Sequence, residues 1–308
     1  MIVNVGGFGH TGNTALLDFL IDTGHFAPIA RDFGETSILR GNWCVAGMLK
    51  ALDKGGTKVR VEFYSDALLG IIKEEHKAFA PPDINDFKRN ARVVSLFGDG
   101  YRLLVAELVS QFEESLNTGV SRREFLQSAV APFYERLSAL VRSKSENDVT
   151  YALSRNDPAG YAVALLDAVD CACHISIIRN PVDVAYEWCN FYHKTVDEPT
   201  IRKFANQFCK KIDRFTKEYG QLSEANKQKV VIVSFESVVS SVETRNAICR
   251  LLNITPNQSQ GKFDPMESSK NIGVGNALDE RWKTYVNNVC GKKYNRFVDR
   301  FDALMLQA

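Results

Sequence analysis

The chain opens with a short apolar run, MIVN, that passes at once into VGGFGHTGNTAL at residues 5–16. This junction constrains the fold more than any other stretch. Gly6, Gly7, Gly9 and Gly12 let the backbone turn sharply and aim its amide N–H groups inward, because glycine tolerates left-handed conformations. TALLDFLIDT (14–23) follows with apolar residues at helical spacing and stops at Gly24, and HFAPIARDF then reads as a second strand. Strand, glycine loop, helix, strand is the opening of an α/β protein with a parallel sheet, since parallel neighbours need a crossover connection. Such a loop holds a phosphate on backbone N–H groups at a helix N-terminus.

Two parses compete. Gly7-x-Gly9-x-x-Gly12 is a dinucleotide loop, and Asp32 lies 25 residues after Gly7, near the spacing of about 20 of a ribose-binding carboxylate. Gly7-x-x-x-x-Gly12-Asn13-Thr14 is instead a P-loop with asparagine in place of the lysine that meets the β- and γ-phosphates in nucleotide triphosphatases. The dinucleotide parse calls for further βα units in quick succession, and none of the ten tyrosines is followed four residues later by lysine.

Beyond the opening unit the rhythm changes. From about Ser37 to Ser145 the sequence reads as helices, among them YRLLVAELVSQFEESL and REFLQSAVAPFYERLSALVRS, with TKVRVEFYS the one strand-like run. The α/β pattern returns with the strand DVTYALSRNDP, the helix GYAVALLDAV and the strand CHISIIRN, and a helix begins after Pro181. Phe204, Phe208, Ile212 and Phe215 share one stripe of a following helix, with lysines opposite as a solvated face. The strand KVVIVSFES, the helix SVETRNAICRLLNI, a polar loop and a last helical stretch complete the chain. The expected architecture is one α/β domain over 1–308, a three-layer sandwich on a central parallel sheet of P-loop nucleotide-binding type. Its helical insertion at about 37–145 is expected to build the acceptor side.

Composition excludes several function classes. A net charge of +1 gives no global field toward nucleic acid or anionic membrane, and no apolar run approaches the ~20 residues that span a bilayer. No leader pattern precedes the first strand, and seven scattered cysteines suit reduced thiols in a cytoplasm better than a disulfide framework. Cys171-x-Cys173-His174 lies in an apolar strand, where neighbouring residues face opposite ways and do not converge on a metal.

A distant segment bears on the loop. In SIIRNPVDVAYEWCNFYHK a strand ends at Arg179 and Pro181 opens a helix. With the modified P-loop, this resembles the sulfotransferases that use 3′-phosphoadenosine 5′-phosphosulfate (PAPS), and the glycan sulfotransferases in particular. His10-Thr11-Gly12-Asn13-Thr14 stands at the family's 5′-phosphosulfate signature, and Arg179 through Glu187 at its 3′-phosphate signature. VVIVSFESVVSSVETRNAICRLLNI and ESSKNIGVGNALDERW resemble the family's later strand-helix segment and its C-terminal nucleotide-closing loop. Two departures stand out: His10 replaces a lysine or arginine, and Glu187 replaces a serine that helps hold the 3′-phosphate.

The resemblance implies transfer of a sulfuryl group from PAPS to an acceptor hydroxyl on a carbohydrate, with no divalent metal. It places Gly9, His10, Thr11, Gly12, Asn13, Thr14, Arg179, Lys270 and Asn271 on the nucleotide, and makes His10 and Glu35 catalytic: His10 on the leaving side, Glu35 as base, with Asp32 and Asp157 in reserve. The implied partners are a small nucleotide and a hydroxyl-bearing acceptor, a glycan among them, and no nucleic acid. Blander readings stand beside these: His10 bonded to nearby backbone, Glu35 capping a helix, Arg179 salt-bridged to Asp183 on the next turn, and Lys270 solvated in a loop. The competing functions are a small-metabolite kinase without its lysine, a divergent NAD(P) reductase, and a sulfotransferase-like protein that binds without turnover.

Overall fold

The structure is a computed structural model that describes residues 1–30, 36–39, 42–54, 60–78, 81–145, 148–156, 166, 171–192, 196–255 and 261–306. Its residues group into two compact units: Met1–Asn4, His25–Asn156 and Gly160–Ala172 in the first, and Val5–Gly24, Asp157–Ala159 and Cys173–Ala308 in the second. Five strands, β1 (Ile2–Gly7), β2 (Phe26–Pro28), β3 (Tyr151–Asn156), β4 (Cys171–Ile178) and β5 (Val230–Ser234), form one parallel sheet in the order β2-β3-β1-β4-β5. Every residue of β1 is buried, as expected for a parallel strand covered on both faces. The α/β class with a central parallel sheet read from the opening motif is the fold observed.

The strand order decides between the two loop parses. A dinucleotide fold sets β2 beside β1, which brings the ribose-binding carboxylate to the glycine loop. Here β3 lies between β1 and β2, so β2 runs two strand spacings, about 10 Å, from β1. β1 is also where the order reverses, with β2 and β3 on one side and β4 and β5 on the other. Ligands of open parallel sheets bind beyond the strand ends at such a point.

The first unit is largely helical: α2 (Val45–Asp53), α3 (Val61–Leu69), α4 (Pro81–Thr118, broken at Gly98), α5 (Arg122–Phe125) and α6 (Ala131–Ser143), with the π turn Leu126–Val130 joining the last two. TKVRVEFYS, read as strand-like, is a correction: from Val61 it forms α3. Phe63, Tyr64, Ala67 and Leu68 recur at helical spacing and are buried, and Gly70, left-handed at φ 68°, ends the helix. Packing of that stripe outweighs the β-branched run before it. Asn90 ties the helices together, accepting from Ser37 N at 3.0 Å and donating to the Ala67 carbonyl at 3.0 Å. GYAVALLDAV, expected as a helix, lies outside the described residues apart from Leu166.

The second unit begins with α1 (Asn13–Asp22) and continues through α7 (Pro181–Tyr192), α8 (Glu198–Gly220), α9 (Glu224–Lys227), α10 (Phe235–Ser240), α11 (Val242–Leu251), α12 (Pro265–Ser269), α13 (Glu280–Val286) and α14 (Lys292–Arg300). The predicted stripe Phe204, Phe208, Ile212 and Phe215 is buried on α8. Phe8 joins it, edge-on to Phe215 at 5.8 Å and to Phe297 at 5.5 Å between ring centroids. Because Phe8 is the first residue after β1, this aromatic cluster anchors the glycine loop by its base.

Candidate functional site

The loop between β1 and α1 is built on left-handed backbone, with φ of 89° at Gly9, 51° at His10 and 90° at Gly12. His10 pays the usual steric cost of that region for a residue with a Cβ. Two of the glycines are required by close approach. A Cβ on Gly12 would fall 2.1 Å from the Phe235 ring, and one on Gly7 would fall 1.8 Å from Asn13 Oδ1. Thr11, buried, donates its hydroxyl to Asn13 Oδ1 at 3.2 Å. α1 starts at Asn13 with no side chain capping it and no acidic residue in its first turn. Its first N–H groups and the positive end of its dipole therefore suit an anion. Thr14 sits half-exposed in that first turn.

The lysines of α8 were read as a solvated face, and Lys211 corrects that reading. It is half-buried, and its ammonium donates to the Phe8 carbonyl at 3.1 Å, 2.9 Å from where a Cβ on Gly9 would stand. A cation thus reaches the loop from a helix about 200 residues away in sequence, with no local motif to announce it.

Arg179 follows β4 and is buried, with 1% of its surface exposed. Nη1 donates to the His10 carbonyl at 3.1 Å and pairs with Glu187 Oε1 at 2.8 Å, while Nη2 donates to the Asn271 carbonyl. The guanidinium lies over the Phe235 ring, 4.7 Å from its centroid. Nε is buried with no hydrogen-bond partner. The blander alternative for Arg179, a salt bridge, is met not by Asp183 but by Glu187. Arg179 precedes the helix, which begins at Pro181, so helical one-turn spacing does not govern its reach.

Asp183 has another task. It is buried and accepts the backbone N–H of Gly273 on Oδ2 and of Gly275 on Oδ1, both at 2.8 Å. A Cβ on Gly275 would meet the Val182 carbonyl carbon at 2.6 Å, and Gly273 has φ 79°. The glycines of NIGVGNA therefore let the C-terminal loop lie against the start of α7. Asn180 sets that start: its side chain accepts from Val182 N at 2.9 Å, and its own N–H donates to Glu236 Oε1 at 3.1 Å.

The structure thus gathers Gly9, His10, Thr11, Gly12 and Asn13 with Arg179 and the Asn271 backbone. The His10 ring contacts the Phe191 ring at 5.1 Å. Lys270 is exposed and paired with Glu267 at 2.5 Å. Glu35, Asp32 and Asp157 lie outside the described residues. Sequence reading missed Phe235, which floors both Gly12 and Arg179, and the loop-holding role of Asp183. Phe235 stands in SFES, the segment already matched to the family's strand end.

Among the described residues, one group in the first unit has metal-like spacing: Asp66, Glu75 and His76. Lys73 N–H donates to His76 Nδ1 at 2.9 Å, so the ring's proton resides on Nε2, which faces Asp66 Oδ2 at 3.6 Å and has no lone pair to offer a metal. The Lys73 ammonium sits 2.6 Å from that same oxygen, where a cation would have to bind. In the second unit, His174 is buried and bonded to Ser176 Oγ at 2.9 Å. Burial lowers its pKa to about 4, as expected of a packed histidine.

No family model and no curated protein matches the sequence. No helix among the described residues is long and apolar enough to cross a membrane. Among solved structures the chain is similar to the sulfotransferase domain of the Synechococcus PCC 7002 olefin synthase, with TM-score 0.43 and 11% identity over 94% of each chain. It is also similar to the sulfotransferase domain of the curacin biosynthetic pathway, with TM-score 0.39 and 11% identity over 98% of this chain and 97% of that one.

Proposed function

We propose that the protein is a sulfotransferase that moves a sulfuryl group from a nucleoside 5′-phosphosulfate to an acceptor hydroxyl. The observation that carries this reading is the uncapped, left-handed glycine loop at the end of β1, tied to the RNPVDVA segment by Arg179 donating to the His10 carbonyl at 3.1 Å. The resemblance implies PAPS as the donor and a carbohydrate hydroxyl as the acceptor. The 5′ end of such a nucleotide fits: loop N–H groups, Asn13 and Thr14 offer donors and no acidic side chain lines the first turn of α1.

The donor supplies an activated sulfur bound to a good leaving group. The chain's residues position it and meet its charge, as in phosphoryl transfer. The loop N–H groups and Thr14 hold the 5′-phosphate. His10 donates toward it as the S–O bond to the donor breaks and negative charge moves onto the nucleotide. Lys211, fixed on the Phe8 carbonyl, adds positive charge to the same loop. Glu35 takes the proton from the acceptor hydroxyl as its oxygen bonds to sulfur. One well-placed donor in such a site is worth roughly 2.7–4 kcal/mol of barrier.

The test is thermal stabilisation by adenosine nucleotides of the phosphosulfate class beside Mg-ATP and NADPH, followed by transfer of labelled sulfur to a panel of glycans and simple alcohols. A ligand at a hundred times its dissociation constant adds about 2.7 kcal/mol. Stabilisation by NADPH alone, or by ATP only with magnesium, would refute the reading in favour of a reductase or a kinase. Nucleotide binding with no transfer to any acceptor would favour a binding protein.

A further inference from the structure

The 3′ end of PAPS does not fit as well as the 5′ end. Arg179 and Glu187 stand at the two positions where the resemblance places the 3′-phosphate ligands, and here they hold each other at 2.8 Å. Two of the five guanidinium N–H groups are donated to the His10 and Asn271 carbonyls, and the charge itself is met by the Glu187 carboxylate. A phosphate arriving at this place would meet the acceptor oxygens that surround Arg179, and a carboxylate among them, where it needs donors. Glu187 keeps 27% of its side chain exposed, whereas Arg179 keeps 1%. Of the two partners, the one open to a ligand is therefore Glu187.

We infer that Glu187, held by Arg179, selects a donor whose ribose carries free hydroxyls, an adenosine 5′-phosphosulfate type of nucleotide, over one with a 3′-phosphate. This rests on the sulfuryl-transfer reading and names its donor class. The chemistry is general: a carboxylate accepts hydrogen bonds from ribose hydroxyls and repels a phosphate, while an unobstructed arginine does the reverse, as in the discrimination of NAD from NADP. Arg179 serves as a positioning residue, holding the Glu187 carboxylate in place at 2.8 Å. Sulfuryl transfer from such a donor would release the corresponding 5′-monophosphate and a proton.

The experiment is calorimetric titration of the intact chain with adenosine 5′-monophosphate and with adenosine 3′,5′-bisphosphate, in parallel. Wild type is expected to bind the monophosphate at least about tenfold more tightly, a difference of 1.4 kcal/mol. Glu187→Gln keeps the side chain's shape while removing the charge, and is expected to erase that preference. The wild-type comparison needs no variant, so it decides the matter even if substitution beside a buried arginine harms folding. Equal or tighter binding of the bisphosphate by wild type overturns the inference, as does an unchanged ratio in folded Glu187→Gln. Failure to bind either nucleotide overturns the sulfuryl-transfer reading itself, and the inference falls with it.

Discussion

Replacing Asp183 with alanine removes the acceptor for two backbone N–H groups at once, those of Gly273 and Gly275, each at 2.8 Å. The Gly275 bond is buried, so water does not readily replace the lost carboxylate. A hydrogen bond to a carboxylate contributes about 1.5–3 kcal/mol, and two of them put the loss for Asp183→Ala at about 3–6 kcal/mol. Asp183→Asn keeps one carbonyl oxygen but turns an NH2 toward the other N–H, so about half that loss is expected. The assay is urea unfolding followed by tryptophan fluorescence, since Trp188 lies on α7 with Asp183 and Trp282 on α13, which follows the loop. Hydrogen exchange at the Gly273 and Gly275 amides reports the loop separately, and both should lose protection in the alanine variant before the rest of the unit does. A loss below about 1 kcal/mol with exchange unchanged at both amides would refute the reasoning, because groups that buried and that well bonded must cost more to orphan.

Three other outcomes follow from the same geometry. Gly12→Ala forces a side chain into left-handed backbone and onto the Phe235 ring at 2.1 Å; strain of about 1–2 kcal/mol plus overpacking of about 1–3 kcal/mol should lower the urea midpoint and abolish nucleotide-induced stabilisation. His174 stays neutral when folded down to about pH 4, whereas the unfolded chain takes up the proton near 6.5. Its contribution is thus complete above about pH 6.5 and drains away, by about 3 kcal/mol in all, as the pH falls to 4. Comparing the urea midpoints of wild type and His174→Asn across that range should show the flatter profile in the variant. Cys209 has its pKa lowered to about 7, first by a hydrogen bond from Cys290 and then by Lys293. Its alkylation by iodoacetamide should rise through neutral pH ahead of the other thiols, and Lys293→Met should move that rise to higher pH.

Much of the fold was legible because its signals are local. The strand-loop-helix at the N-terminus is written in adjacent residues, and so is the turn at Arg179-Asn180-Pro181, where proline opens α7 and Asn180 caps it. The stripe on α8 was visible for the same reason, since helical spacing needs no knowledge of the partner. TKVRVEFYS misled because its β-branched start resembles a strand, while the residues that decide its state, Phe63, Tyr64, Ala67 and Leu68, do so only by being buried together. Lys211 was hidden among lysines with the same spacing, and only the approach of α8 to the glycine loop sets it apart.

The sequence alone determined that this is an α/β chain whose glycine loop opens onto a helix, because glycine conformation and helix-end N–H groups are properties of a dozen consecutive residues. It also named Arg179 and flagged Glu187 as out of place. Only the tertiary structure decided what those two do. Arg179 is bound by Glu187, by the His10 carbonyl at the other end of the chain's numbering and by the Asn271 carbonyl near the C-terminus. Those acceptors are brought together by sheet order and by the Asp183-held loop, and a charge's role depends on which partners surround it in space, which sequence spacing does not encode.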